Sequence, residues 1–183
     1  PEIVREIEAL PGCTTYISAV KDGYVKEGAD ELYRWLTEGY QLDIKKLKRM
    51  PEDLPANDGI LSVEMYHPTK AEEIAHQGLY QKWHGHKELQ LVCAGKQWMN
   101  FTPINADKGI ALSEFQNRYG ITPGETMAFG DNMNDASMLL RADQSYAIGN
   151  ARKEIKSLTR FVADTNINDG VLQVLRTVKT NIQ

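Results

Sequence analysis

The sequence predicts an α/β protein in two parts: a parallel sheet with helices on both faces over residues 105–183, and an α+β unit over residues 1–104. Three observations predict it. Beyond about residue 105, short apolar runs alternate with amphipathic stretches at even spacing, the pattern of βαβ units. Before that point strands and helices mix irregularly and one hairpin is legible, which points to antiparallel pairs. Charge divides at the same place. The first 104 residues carry 12 Lys and Arg against 16 Asp and Glu, and the remainder carries nine of each.

Taken in order, "PEIVREIEAL" reads as the first turns of an amphipathic helix, with Ile3, Val4, Ile7 and Leu10 on one face. Pro1 suits the first turn of a helix. It also stands where no initiator Met is present, so the chain is expected to be less than a complete gene product. "CTTYISAV" reads as a strand ended by the turn signal "DGY", and "ADELYRWLTEGY" as a helix. "KKLKRMPEDLPANDG" reads as a polar, Pro-rich connector. "ILSVEMY" is a strand, "PTKAEEIAHQGL" a helix, and "ELQLVCAGKQWMNFTP" a hairpin turning at Ala94-Gly95-Lys96. In the second part "KGIALSEFQNRYG" is a helix with Gly120 as its C-terminal cap. "ETMAFG" is a short buried strand, "DASMLLRA" a helix, "SYAIG" a strand and "ARKEIKSLT" a helix. "RFVAD" is a strand and "DGVLQVLRTVKTNI" a closing helix. Residues 105–183 thus supply about three parallel strands, a thin core with an open edge.

Composition narrows the function classes. With 183 residues, 42% of them hydrophobic, the chain can bury one ordinary core or two small ones. A net charge of -4 disfavours a nucleic-acid role. No apolar run reaches the length of a membrane span, and no signal peptide is legible, so a cytoplasmic location is expected. Cys13 and Cys93 lie far apart, in no CxxC pattern, which fits a reducing compartment.

The chemistry concentrates in "MAFGDNMNDASMLL", Met127 to Leu140. Four of the five residues after Gly130 are Asp131, Asn132, Asn134 and Asp135. In an open parallel sheet, ligands bind outside the carboxyl ends of the strands, and Asp131 lies at such an end. Asn134 and Asp135 are expected at the start of the next helix, where free N–H groups and the dipole favour anions. A hard cation such as Mg²⁺ takes carboxylate oxygens and pairs with phosphates. Asp and Asn are also preferred helix caps, but four in five positions exceed what one cap uses. An EF-hand loop is rejected because its third position would be Met133. "ADKGIAL" places Lys108 at a helix start, where a cation opposes the macrodipole. Such a lysine is either a solvated side chain or a charge that holds a phosphate or balances carboxylates.

"DKG", a 23-residue interval from Lys108 to Asp131, and then "GDNMNDASML" resemble the third and fourth motifs of the haloacid dehalogenase-like (HAD) superfamily. The likeness is closer still to its Cof-type phosphatases, which carry a large inserted α/β cap. Gly149-Asn150-Ala151 and Asp169-Gly170-Val171 are similar to the family's segment after the fourth motif. The resemblance implies a HAD-like, Rossmannoid core of which residues 105–183 form the C-terminal part, with residues 1–104 as the substrate-specificity cap. It implies an enzyme, a Mg²⁺-dependent phosphatase acting on small organic or sugar phosphates through an aspartyl-phosphate. It implies that Asp131 coordinates Mg²⁺ and that Asp135 supports the metal site, directly or by orienting neighbours. Asn134 would lie near the substrate phosphate, and Lys108 would contact both the phosphate and the nucleophilic carboxylate. The implied partners are a small phosphorylated metabolite and a further segment of core, with no nucleic acid and no membrane.

One departure is large. The family's first motif, two aspartates in a DxD pattern ahead of the cap, supplies the nucleophile and the acid/base, and no DxD occurs in these 183 residues. The second motif, a Ser or Thr, would also lie upstream. The N-terminal core segment is therefore expected to be missing from this chain, and the chain alone is expected to hydrolyse nothing. Two other readings stay open: a phosphomutase of the same superfamily, which would transfer to a second sugar hydroxyl, and a non-catalytic binding module. Elsewhere, "KKLKR" (45–49) reads as a solvated helix face or linker, and His84 and His86 of "WHGH" as a surface loop rather than a metal pair. "NFT" (100–102) is set aside as a sequon, and Trp35, Trp83 and Trp98 read as packing.

Overall fold

The structure, a computed structural model, describes residues 2–180. The helix expectations for Pro1, Asn181 and Ile182 lie outside the described residues. The chain divides into two compact units, Pro1–Ile104 and Asn105–Gln183. Among the described residues no helix is long and apolar enough to cross a membrane.

The first unit runs α1 (Glu2–Glu8), β1 (Thr14–Ala19), β2 (Gly23–Lys26), α2 (Asp30–Arg34), β3 (Ile44–Leu47) and β4 (Ile60–Tyr66). It continues through α3 (Ala71–His76), α4 (Leu79–Trp83), β5 (Leu89–Cys93) and β6 (Trp98–Pro103). Its six strands form one sheet in the order β3-β2-β1-β4-β6-β5. Every pairing is antiparallel except β2 with β3. Alternation along the strands sorts side chains to two unlike faces. Ile17, Met65, Met99 and Phe101 point to one face: Ile3 and Ile7 of α1, Ala71 and Ala75 of α3 and Leu79 of α4 bury the last three, and Val4 of α1 with Tyr24 and Met50 buries Ile17. The other face carries Tyr16, Val25, Tyr66 and Trp98. One end of it is closed by Leu32 of α2 and by Trp35 and Leu36 in the π-turn that follows. Trp35 stacks on Trp98 at 5.4 Å between ring centroids, so these two tryptophans do pack as the sequence suggests.

Two expectations need correction here. The connector expected over 45–59 begins inside a strand: β3 pairs in parallel with β2, Gly23 opposite Ile44 and Lys26 opposite Leu47. "KKLKR" is thus partly an edge strand. Lys45 reaches Asp22 at 2.6 Å and Lys46 reaches Asp30 at 2.5 Å, and lysines on an edge also discourage further pairing. The helix expected over 68–79 is present but shorter, as α3 over Ala71–His76, and beyond Gln77-Gly78 a second short helix, α4, follows that the sequence reading did not include. Glycine weakens a helix interior by about 1 kcal/mol relative to alanine, enough to end so short a helix.

The second unit runs α5 (Lys108–Tyr119), β7 (Met127–Gly130), α6 (Ala136–Leu139), β8 (Gln144–Ala147), α7 (Lys153–Leu158), β9 (Phe161–Val162) and α8 (Gly170–Thr180). Its three strands are parallel in the order β7-β8-β9. Ala128 and Ala147 pack on one face against Leu139 of α6 and Ile155 of α7, and their small side chains let the helices sit close. On the opposite face Phe129, Tyr146 and Phe161 stack in a ladder, with centroids 5.1 and 5.0 Å apart. Both α5 ends are set by sequence. The Asp107 carboxylate accepts from Gly109 and Ile110 N–H at 2.8 and 3.0 Å, and Gly120 closes the helix at φ 65°. Among the described residues β7 and β9 are both edges of this sheet.

Candidate active site

The carboxyl end of β7 carries the residues singled out above. Gly130 ends the strand, and a single 3-10 turn (Met133–Asp135) leads into α6. Asp135 organises this turn. Its Oδ2 accepts from the backbone N–H of Asp131 at 3.0 Å and of Asn132 at 3.4 Å. Its Oδ1 takes the Lys108 ammonium at 2.5 Å. The carboxylate is buried, at 8% side-chain exposure, while Lys108 is half exposed. Gly130 is required at its place: a Cβ there would stand 2.6 Å from Asp135 Cβ.

Asn134 and Asp135 fall at the start of the next helix, as expected, in a 3-10 turn with Asp135 at the N-cap of α6, but α6 has only four residues. The dipole of so short a helix is small, since the macrodipole sums over aligned peptides. The N–H groups of Asp131 and Asn132, which a phosphate could otherwise use, are taken by Asp135. The polarity of the turn therefore comes from side chains.

Lys108 reaches Asp135 because the start of α5 is locked to α6. Ser137 Oγ donates to Asp107 Oδ2 at 2.7 Å and accepts from Gly109 N–H at 3.2 Å. A Cβ on Gly109 would fall 2.6 Å from the Ser137 carbonyl, so only glycine allows this approach. Asp107 thus caps the helix with one oxygen and holds Ser137 with the other. From the other side Arg152 N–H donates to the Asp131 carbonyl at 3.1 Å, and Arg152 Nη1 reaches Asn132 Oδ1 at 3.3 Å. Sequence reasoning missed Asp107, Ser137 and Arg152. Only Asp107 had a signal, as an acidic cap just before the helix of "DKGIAL".

Asp131 and Asn134 are differently placed. Asp131 is exposed, and among the described residues its carboxylate takes no hydrogen bond or ion pair. Asn134 is half-buried with no side-chain hydrogen bond among the described residues. A hollow of about 370 Å³ opens beside the lysine, lined by Asn105, Asp107, Lys108 and Glu114 among others. So the structure brings Lys108 and Asp135 into contact, holds Asp131 beside them through its backbone, and leaves the Asp131 carboxylate without a partner among the described residues.

Among the described residues no three His, Cys, Asp or Glu side chains converge as a metal cage. The donor set still fits a share of a Mg²⁺ site. Mg²⁺ keeps several waters and is commonly held by one or two carboxylates plus substrate phosphates, and Asp131 offers one uncommitted hard oxygen donor. His84 and His86 form no such site. The His84 ring stacks on Tyr80 at 4.5 Å and His86 lies against Trp83 at 5.6 Å.

Comparisons with known proteins agree with the motif reading. Residues 2–175 match the family model described as haloacid dehalogenase-like hydrolase. The 5-amino-6-(5-phospho-D-ribitylamino)uracil phosphatase YcsE of Bacillus subtilis is 32% identical over 90 residues, 49% of this chain and 36% of that protein. A putative phosphatase of Mycoplasma pneumoniae is 26% identical over 170 residues, 90% of this chain and 57% of that protein. The crystal structure of SMU.1108c from Streptococcus mutans superposes with a TM-score of 0.82 at 26% identity, covering 98% of this chain and 66% of that one. The matches thus span about a third to two thirds of the relatives' own lengths. With a family model covering nearly the whole sequence and a parallel sheet that ends in the Lys108–Asp135 pair, the chain belongs to the haloacid dehalogenase-like hydrolase family.

Proposed function

We propose that this chain supplies the cap, residues 1–104, and the C-terminal part of the core, residues 105–183, of a cytoplasmic Mg²⁺-dependent phosphatase acting on small organic or sugar phosphomonoesters. One observation carries the reading: an ammonium, Lys108 Nζ, is fixed on a buried carboxylate while a second carboxylate, Asp131, stays free at the same strand end. A fixed cation beside a free hard donor suits a phosphoryl group and its metal together.

In this reading Asp131 holds Mg²⁺, which when bound neutralises charge on the phosphoryl oxygens. Asp135 acts by position. Both its oxygens are engaged, so it keeps Lys108 extended toward the site and fixes the backbone on which Asp131 sits. Lys108 then offsets negative charge on the phosphate and on a nucleophilic carboxylate. Asn134, whose side chain takes no hydrogen bond among the described residues, would donate its amide N–H to a phosphate oxygen. The nucleophile belongs to a segment outside these 183 residues, a pair of aspartates whose first member takes the phosphoryl group and whose second protonates the leaving alkoxide. The relatives' greater length leaves room for such a segment.

The test is phosphate release from a panel of phosphomonoesters by the protein with its upstream sequence included. Asp131→Ala and Lys108→Ala are each expected to lower turnover by about two orders of magnitude or more. Turnover untouched by both substitutions overturns the assignment.

A further inference from the structure

Two loops meet at the carboxyl end of the second unit's sheet, and one side chain joins them. The turn after β7 is held from within by Asp135, whose Oδ2 accepts from Asp131 N–H at 3.0 Å. Its other support is the loop after β8, residues 148–152. Ile148 N–H donates to the Gly130 carbonyl at 3.0 Å, and Arg152 N–H to the Asp131 carbonyl at 3.1 Å. That loop is itself fixed. Gly149 N–H donates to the Asp164 carbonyl at 3.1 Å, Ala151 N–H to the Ile148 carbonyl at 2.7 Å, and Lys156 Nζ to the Gly149 carbonyl at 2.5 Å. A Cβ on Gly149 would stand 2.8 Å from Thr165 N, so the loop is pressed against the chain leaving β9. From this base the half-buried Arg152 extends Nη1 to Asn132 Oδ1 at 3.3 Å. The same oxygen accepts from Met133 N–H at 2.8 Å and so closes the start of the 3-10 turn.

Arginine is an odd choice at this place. Arg152 is the N-cap of α7 and makes no side-chain cap bond. Ser, Thr, Asp and Asn are preferred there because they accept from free N–H groups, and a guanidinium has no acceptor. A local rule broken without a local gain points to another task, and the contact with Asn132 supplies one.

We propose that Arg152 is a positioning residue for the Asp131 turn: its guanidinium, based on the loop after β8, grips Asn132 and so fixes the backbone that presents the Asp131 carboxylate. The main-chain bond from Arg152 to Asp131 survives any substitution, so the side chain's share is the grip on Asn132. The Asp131 carboxylate has no partner among the described residues, and its direction is therefore set by the turn beneath it. Mg²⁺ demands near-ideal octahedral geometry from its donors, so a turn that wanders costs affinity. A cation acting by charge alone has the opposite sign. It repels Mg²⁺, and its removal tightens binding.

The inference rests on the reading of Asp131 as a Mg²⁺ donor, and two measurements keep the two apart. The first needs neither metal nor turnover. Amide hydrogen exchange is followed by NMR in ¹⁵N-labelled residues 1–183, wild type against Arg152→Met. Exchange at Asn132 and Met133 is expected to quicken by about three- to tenfold, while the amides of β7 and β8 keep their rates. Arg152→Lys, which restores a donor of similar reach, is expected to recover part of the protection. With Asn132→Ala already in place, Arg152→Met is expected to add nothing at Met133. Exchange that is unchanged, or that quickens uniformly along the chain, overturns the proposal. The second measurement is the Mg²⁺ dependence of phosphate release by the protein with its upstream sequence included. Arg152→Met is expected to raise the Mg²⁺ concentration at half-saturation by about three- to tenfold with the melting transition unchanged. A wild type that responds to Mg²⁺ while Arg152→Met leaves half-saturation unchanged, or lowers it, overturns this inference alone. A wild type whose turnover ignores Mg²⁺ overturns the reading of Asp131, and the inference falls with it.

Discussion

Lys108 Nζ stands 2.5 Å from Asp135 Oδ1, in an ion pair whose carboxylate is buried and whose ammonium is half exposed. The asymmetry matters. Asp135 is desolvated and depends on its partners, while Lys108 keeps one side open to a ligand. Lys108→Ala leaves Asp135 with its two backbone donors only. A loss of about 1–2 kcal/mol in stability is expected, below the value for a fully buried pair because the lysine is partly solvated. Urea denaturation of the two chains measures it, and Lys108→Arg is expected to recover part of the loss.

Asp131→Ala should behave in the opposite way. Its carboxylate is exposed and makes no contact among the described residues, so stability is expected to change by less than about 0.5 kcal/mol. Mg²⁺ stimulation of phosphatase turnover is nevertheless expected to disappear. Paired melts and activity assays separate the two outcomes.

Gly130→Ala tests the packing beneath the turn. The added Cβ meets Asp135 Cβ at 2.6 Å and its Oδ2 at 2.9 Å, so the turn must move. A destabilisation of about 1–3 kcal/mol is expected. Loss of turnover should accompany it, because the same movement drags Asp135 away from Lys108. An unchanged melt would show that the turn yields freely.

Glu64 gives a pH signature. Burial raises its carboxyl from the ordinary 4.5 to about 7 in the folded chain. The folded state therefore holds a proton that the unfolded state releases between these values. Stability from this group is full below about pH 4.5, falls as pH rises toward 7, and is flat above. The whole change is of order 3 kcal/mol. Carboxylates held low by partners, such as Glu6 beside Lys82 and Trp83, act with the opposite sign at lower pH. The difference between wild type and Glu64→Gln isolates the contribution of this carboxyl. Urea midpoints are expected to show the variant relatively more stable at about pH 8 than at about pH 5.

The motif-bearing half of this molecule was legible because its signals are local. The lysine at the start of α5, the glycine at Gly120 and the polar run after Gly130 each announce themselves within a few residues. The spacing from Lys108 to Asp131 did the rest. What was not legible depends on distant partners. β3 is a four-residue, lysine-rich segment whose strand character comes from pairing with β2, which no local pattern records. The Ser137–Asp107 bond joins residues thirty apart in sequence. The burial of Glu64 hid behind ordinary alternation: Ser62, Glu64 and Tyr66 look like the solvent side of a strand. Only the neighbouring strands reveal that Glu64 Oε2 is shielded.

The most direct measurement is Mg²⁺-stimulated hydrolysis of p-nitrophenyl phosphate by residues 1–183 alone and by the same chain joined to its upstream segment, each with and without Asp131→Ala. The expected result is no turnover by the shorter chain, turnover by the longer one, and loss of that turnover with Asp131→Ala. Turnover by residues 1–183 that Asp131→Ala abolishes, or turnover by the longer chain that survives the substitution, contradicts the division of the site proposed for this protein.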